Sequence, residues 1–211
     1  MQMFVDVVVI VGSFVAGAFA WTIGEYVLHS SFHWAKGKNL ASRAHLDHHA
    51  TVGWSFDLLI TLAWLGIVLI GGVVAWDPAG LMPATVSIPL GAGWTACYFF
   101  YEYHHALAHL RGPRNRWERW LRIHHFTHHF AQPMKNQGVL VPWWDSLFGT
   151  RVRLDRVKVP RRLAMSWLVD ENGMVRPEYR SDYELVGAAD SDERSRELDR
   201  IRAFRNLEPV V

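Results

Sequence analysis

Cysteine is nearly absent from this 211-residue chain. Cys97 stands alone, which excludes an internal disulfide and any cysteine-based zinc or iron–sulfur site. It lies in an apolar segment, where a small buried thiol is the ordinary reading. A large charge of one sign is lacking too. Lys and Arg number 22 against 20 Asp and Glu, a balance that does not suggest bulk nucleic-acid binding. No Lys or Arg precedes the apolar N-terminal run. That argues against a cleaved secretory signal, although Ala18-Phe19-Ala20 resembles a cleavage site. Histidine is missing from everything after His129. The length fits one domain, or one domain with an appendage.

The apolar residues are concentrated early in the chain. A run from about Met3 to Leu28 is long enough to cross a hydrocarbon core of about 30 Å as a helix. A second extends from about Phe56 to Trp76, without charge after Asp57. A third begins near Leu81 and ends at Tyr101 to His109. Asp77-Pro78-Ala79-Gly80 separates the last two as a turn. Pro83 and Pro89 suggest a kinked entry to the third run, tolerable in a span whose neighbours satisfy the freed backbone groups. Soluble core helices are the bland alternative, which length and lack of charge disfavour. The expected fold is therefore all-α, an integral membrane protein with three clear spans.

Charge orients these spans. Lys36, Lys38 and Arg43 follow the first run, and Arg111, Arg114, Arg116, Arg119 and Arg122 follow the third, while the 77–80 turn has no basic residue. The positive-inside rule then places both histidine-bearing connectors and the C-terminus in the cytoplasm and the N-terminus outside. Trp117 and Trp120, interleaved with the arginines, fit a membrane-interface helix better than a nucleic-acid patch. We expect a membrane and metal-binding domain over residues 1–150. Residues 151–211 read as a charged cytosolic tail without identifiable chemistry, with a polar, solvated helix over Ser191 to Asn206.

The histidines carry the chemistry. All 12 lie in four windows. His29 and His33 are four apart, as are His105 and His109. His45-x2-His48-His49 is repeated as His125-x2-His128-His129. Residues three or four apart share a helix face, and a face of neutral imidazoles is half of a metal site for zinc, copper, iron or nickel. These ten histidines exceed what one ion takes, so two ions at about five ligands each is the natural reading. A lone pair of this kind is as often a satisfied core histidine or a pH-responsive patch; four windows with repeated spacing are not. Glu25, four before His29, is either a ligand itself or an acceptor for a ligand ring's second N–H, and the latter fits the usual habit of metal-bound histidines. Asp47 is either such an acceptor or a surface charge. Asp145, in the aromatic segment 143–149, is a third candidate to orient a ligand, and Ser42 is placed to cap the helix holding His45.

These motifs resemble the fatty acid hydroxylase/sterol desaturase superfamily of membrane di-iron oxygenases. Tyr101-Glu102-Tyr103-His104-His105 is similar to the Tyr-Asp-x-x-His entry of its fatty acid 2-hydroxylase branch. His124 to Phe130 is similar to its His-His-x-x-His-His-Phe segment, and Trp144-Asp145 to Phe148 to its Trp-Asp-x-x-Phe ending. The resemblance covers roughly residues 25 to 150. It implies that the ten histidines ligate two ferrous ions, with Glu102, His104 and His124 as further candidates to orient them. It also implies O2-dependent hydroxylation or desaturation of a lipid, whether a fatty acyl lipid, a sterol-like lipid or a carotenoid. Without the fused haem domain of some members, an external electron-transfer protein is expected. The fold it implies is all-α, with about three to four spans and a cytosolic histidine-rich metal-binding cap; three clear spans stand here where four are common.

Ten imidazoles with no clear ligating carboxylate fit a zinc hydrolase less well, since such enzymes keep three protein ligands and an open position. A transporter should carry polar ligands near mid-membrane, and the second run has none. A purely structural metal protein would be an unusual use of two all-histidine sites. Spacing does not separate iron from zinc, which imidazole also accepts.

Overall fold

The structure, a computed structural model, describes residues 1–54 and 58–209. Phe56 and Asp57, at the expected start of the second apolar run, lie outside the described residues. The chain divides into two compact units, Met1–Glu25 with Phe56–Tyr103, and Tyr26–Ser55 with His104–Val211.

The first unit is helical and apolar. Helix α1 (Gln2–Ala35) supplies its N-terminal portion, joined by α3 (Leu58–Trp76) and the start of α4 (Ala84–Leu110). Among the described residues, α1 is the helix long and apolar enough to cross a membrane by itself; α3 is a shorter apolar helix. Its side chains are turned outward, with Phe4 72% and, on α3, Leu69 65% and Trp76 77% exposed. A soluble core helix would bury this face, and apolar patches of this extent mark a lipid or protein contact. What the helices do bury is small. A Cβ on Gly17 would lie 1.9 Å from the Leu90 carbonyl oxygen, and one on Gly93 2.0 Å from that of Phe14, so only glycine lets α1 and α4 approach this closely. Trp21 packs edge-on to Trp94 and Tyr98 at 5.1 and 4.9 Å between ring centres. The expected 77–80 turn forms, with Asp77 and Gly80 at positive φ. Pro83 immediately precedes α4, and the helix runs on through Pro89.

The second unit holds the end of α1, helix α2 (Leu40–Thr51), the last turns of α4, then α5 (Arg116–Phe130), α6 (Trp143–Leu147) and α7 (Glu193–Arg205). Two short strands, β1 (Val157–Pro160) and β2 (Tyr183–Val186), pair in parallel. The all-α expectation is corrected to that extent. These strands bury Val157, Val159 and Tyr183 in a core with Leu168 and Trp167; in so short a ladder the alternating pattern is too brief to stand out. β1 packs on α5 and α7 on α2. Residues 151–209 thus fold within the same unit as the histidine-bearing helices, and no unit boundary falls near residue 150.

Helix starts are capped by Asn39, whose side chain accepts from Ser42 N, and by Asn115, which accepts from Glu118 N. Ser42, expected to be the cap, sits three residues inside the helix and donates to Phe32 O while accepting from Gly37 N. Arg111, Arg119 and Arg122, of the arginines that follow α4, make internal cross-links. Arg111 forks onto Glu118 at 2.7 and 2.9 Å, and Arg119 pairs with Asp182. Arg122 is buried, donating to the carbonyls of Leu107, Arg111 and Glu118.

Candidate metal centre

Helix geometry and one exchange between helices build two groups of rings in the second unit. The first consists of His29, His33, His45, His49 and His128, the second of His48, His105, His109, His125 and His129. Within each group the ligand atoms lie within 4.8 Å of one another. Each takes two pairs at four-residue spacing and one ring from elsewhere. His48 and His49 point about 100° apart around α2, so they serve different groups, as do His128 and His129 on α5. The stacked rings of His49 and His129, 4.0 Å between centres, join the groups.

The hydrogen bonds fix which nitrogen each ring offers. His33 donates from Nδ1 to Asn206 Oδ1 and His128 from Nδ1 to Lys135 O, both at 2.7 Å. His29 donates to Gln137 O, His48 to Gly53 O and His109 to Val52 O. A neutral ring protonated at Nδ1 has a bare lone pair on Nε2. Yet His33 Nε2 lies 3.1 Å from His128 Nε2, with His45 Nε2 2.9 Å from the former and His49 Nε2 3.0 Å from the latter. In the second group His109 Nε2 is 2.8 Å from His125 Nε2. Nε2 of His29, His48 and His129 is buried without a hydrogen-bond partner among the described residues.

Protonation does not relieve this crowding. Burial, reinforced by neighbouring rings, holds His45, His49, His125, His128 and His129 well below the usual histidine range. Burial brings His48 down to about 4. His33 and His128 both donate Nδ1–H to oxygens, so at 3.1 Å their Nε2 lone pairs face one another and repel, and a cation between them converts the repulsion to attraction. For metal–nitrogen bonds of about 2.1 Å, donors at right angles lie about 3.0 Å apart and tetrahedral donors about 3.4 Å. The separations of 2.8 to 3.1 Å are of the size that two nitrogens held by one ion require. The histidine clusters fit metal binding.

The other sequence candidates separate. Asp145 is fully buried and accepts from Gln137 N and Gly138 N at 2.8 Å and from Thr150 Oγ1 at 2.7 Å. Burial opposes its charge, but hydrogen bonds from His124, Thr150 and these amides hold it below the usual carboxylate range. It therefore orients a ligand indirectly, by shaping the loop whose Gln137 carbonyl receives His29. His124 is 3.3 Å from Asp145 and stacks on Trp120, outside both groups. His104 packs edge-on to Trp117, also outside them. Asp47 is corrected to a surface charge, paired with Arg200 at 3.3 Å. Glu25 and Glu102 belong to the first unit, where both lie near Tyr101.

Sequence reasoning missed the oxygens that receive Nδ1–H. Backbone carbonyls carry no residue signature. One indirect trace exists at Val52, a β-branched residue at φ +55, where such a conformation is an outlier. The left-handed turn caps α2 and leaves successive carbonyls of Val52 and Gly53 facing His109 and His48. Asn206 was read as the end of a solvated helix and is instead a partner of His33.

Residues 14–150 match the model of the fatty acid hydroxylase family. A dihydroceramide fatty acyl 2-hydroxylase from Arabidopsis thaliana is 31% identical over 152 residues, 70% of this chain and 62% of that protein. Fatty acid 2-hydroxylases of Macaca fascicularis and Homo sapiens are 27% and 26% identical, over 67% and 66% of this chain and 40% and 39% of their own lengths. The chain thus spans less than two thirds of each relative. No solved structure matches it significantly. On the family match and the histidine pattern together, the chain belongs to the fatty acid hydroxylase family.

Proposed function

We propose that this chain is a membrane-bound non-haem di-iron oxygenase that hydroxylates a fatty acyl lipid, using O2 and electrons from an external protein. The observation that carries this reading is the pair of five-histidine groups, each with its ligand atoms within 4.8 Å of one another. Two ferrous ions held there would supply the activation of O2 that side chains cannot. Five protein donors exceed the four of a tetrahedral structural zinc site and the three of a zinc hydrolase, which disfavours the hydrolase alternative. Desaturation would use the same machinery; the fatty acid 2-hydroxylase relatives favour hydroxylation.

The chain's own residues do three things. The ten rings bind as neutral donors, held so by burial and, at His29, His33, His48, His109 and His128, by an oxygen on Nδ1. Asp145, Val52 and Gly53 fix those oxygens. The exposed apolar faces of α1 and α3 meet lipid, so an acyl substrate arrives from the bilayer. In the same reading α1, α3 and α4 each span the membrane, with both histidine groups and the C-terminus cytoplasmic and the N-terminus outside.

Lipid extracts of cells expressing the chain, compared with cells expressing His125→Ala, test the reading. Acyl species gaining one oxygen atom should appear with the native chain alone. Identical lipid profiles would contradict it.

A further inference from the structure

The C-terminal helix reaches the first histidine group through one side chain. Asn206 ends α7 in the left-handed region at φ +57, where asparagine is among the few residues that sit easily. Its amide grips His33 twice, Nδ2 donating to His33 O at 3.0 Å and Oδ1 accepting from His33 Nδ1 at 2.7 Å. The first bond determines which end of the amide faces the ring. The second keeps the proton on Nδ1 and leaves Nε2 bare toward its group. Beyond its packing on α2, two contacts anchor α7 near this end. Asp199 takes a fork from Arg162, and Gly37 lies so close to the Phe204 ring that an added Cβ would be 2.4 Å away.

We propose that Asn206 is a positioning residue for one metal site of the pair. It sets the tautomer and plane of the His33 ring, and makes the C-terminal helix part of the His29, His33, His45, His49 and His128 group. In the second group, His48 and His109 find their acceptors on the α2 exit instead, at Gly53 and Val52. This inference rests on reading the two groups as metal sites.

The test is chelator competition on the full chain purified in detergent, reloaded with Co2+ and followed by elemental analysis and cobalt absorption. The native chain should hold two ions. Asn206→Gly keeps the left-handed helix end and removes the amide; it should weaken one ion about 10- to 100-fold, the usual effect of losing such a partner, and leave the other unchanged. Asn206→Asp keeps an acceptor for the ring and should hold both ions close to native affinity. Arg162→Ala, which loosens α7 without touching His33, separates positioning from stability. Native binding by Asn206→Gly would overturn the proposal. So would equal weakening of both ions in Asn206→Gly and Arg162→Ala. Should Asn206→Gly fail to fold, a one-ion loss in Asn206→Asp would overturn the ring-acceptor role by itself. A native chain that binds no cobalt would sink the metal reading and this inference with it.

Discussion

At the scale of single residues, the centre depends on pairs of atoms that would repel without a cation. Asp145 sits one step behind them. Asp145→Ala leaves the buried amides of Gln137 and Gly138 unpaired, and an unsatisfied buried group costs about 1–3 kcal/mol. We expect a loss of about 2–4 kcal/mol of stability and weaker metal retention through His29. Denaturant unfolding in detergent measures the first, and an unchanged midpoint would contradict it. The two histidine groups were legible in the sequence because the four-residue spacing is itself helix geometry. Their partners were not. Carbonyls of Gln137, Lys135, Val52 and Gly53 belong to the backbone, and side-chain identity does not announce them. Of the carboxylates that did stand out, Asp47 pairs at the surface with Arg200, while Asp145 is buried behind the loop.

At the scale of elements, the join between α4 and α5 sets His109 against His125. Arg111 and the buried Arg122 clasp Glu118, whose carboxyl is pulled down to about 2 chiefly by the Arg111 hydrogen bonds. Glu118→Ala would strand Arg122 in the interior without its counter-charge. Breaking a buried pair from one side costs about 3–5 kcal/mol, so this variant should unfold at markedly lower denaturant; a native-like midpoint would count against the clasp. The apolar runs and histidine helices could be read from periodicity and length. The ion pairs of Arg111 and Arg119 were not legible, because Glu118 and Asp182 become their partners only once the chain has folded back. The tail was misread for a similar reason. α7 is polar along its length, and its tie to His33 spans 173 residues.

At the scale of the whole molecule, ten neutral imidazoles make the metal-free chain sensitive to acid. For His48 the folded value is about 4 against an ordinary 6.5. Between those limits the unfolded chain binds the proton and the folded chain does not, so stability rises with pH across the window and is lost as pH falls through it. The rings of His45, His49, His125, His128 and His129 shift in the same direction and steepen the loss. Chelator-treated protein should therefore unfold more readily toward pH 4, while the metal-loaded form resists until protons displace the ions. A flat profile for the stripped chain would argue against neutral buried rings.

Iron content per chain, measured on protein purified from iron-replete cells, addresses the central claim most directly. The two groups of five histidines lead us to expect two irons per chain in the native protein, and a marked fall in iron content for His125→Ala and for His33→Ala. Protein that is folded but carries no bound metal, or variants that keep the native iron content, would contradict the account.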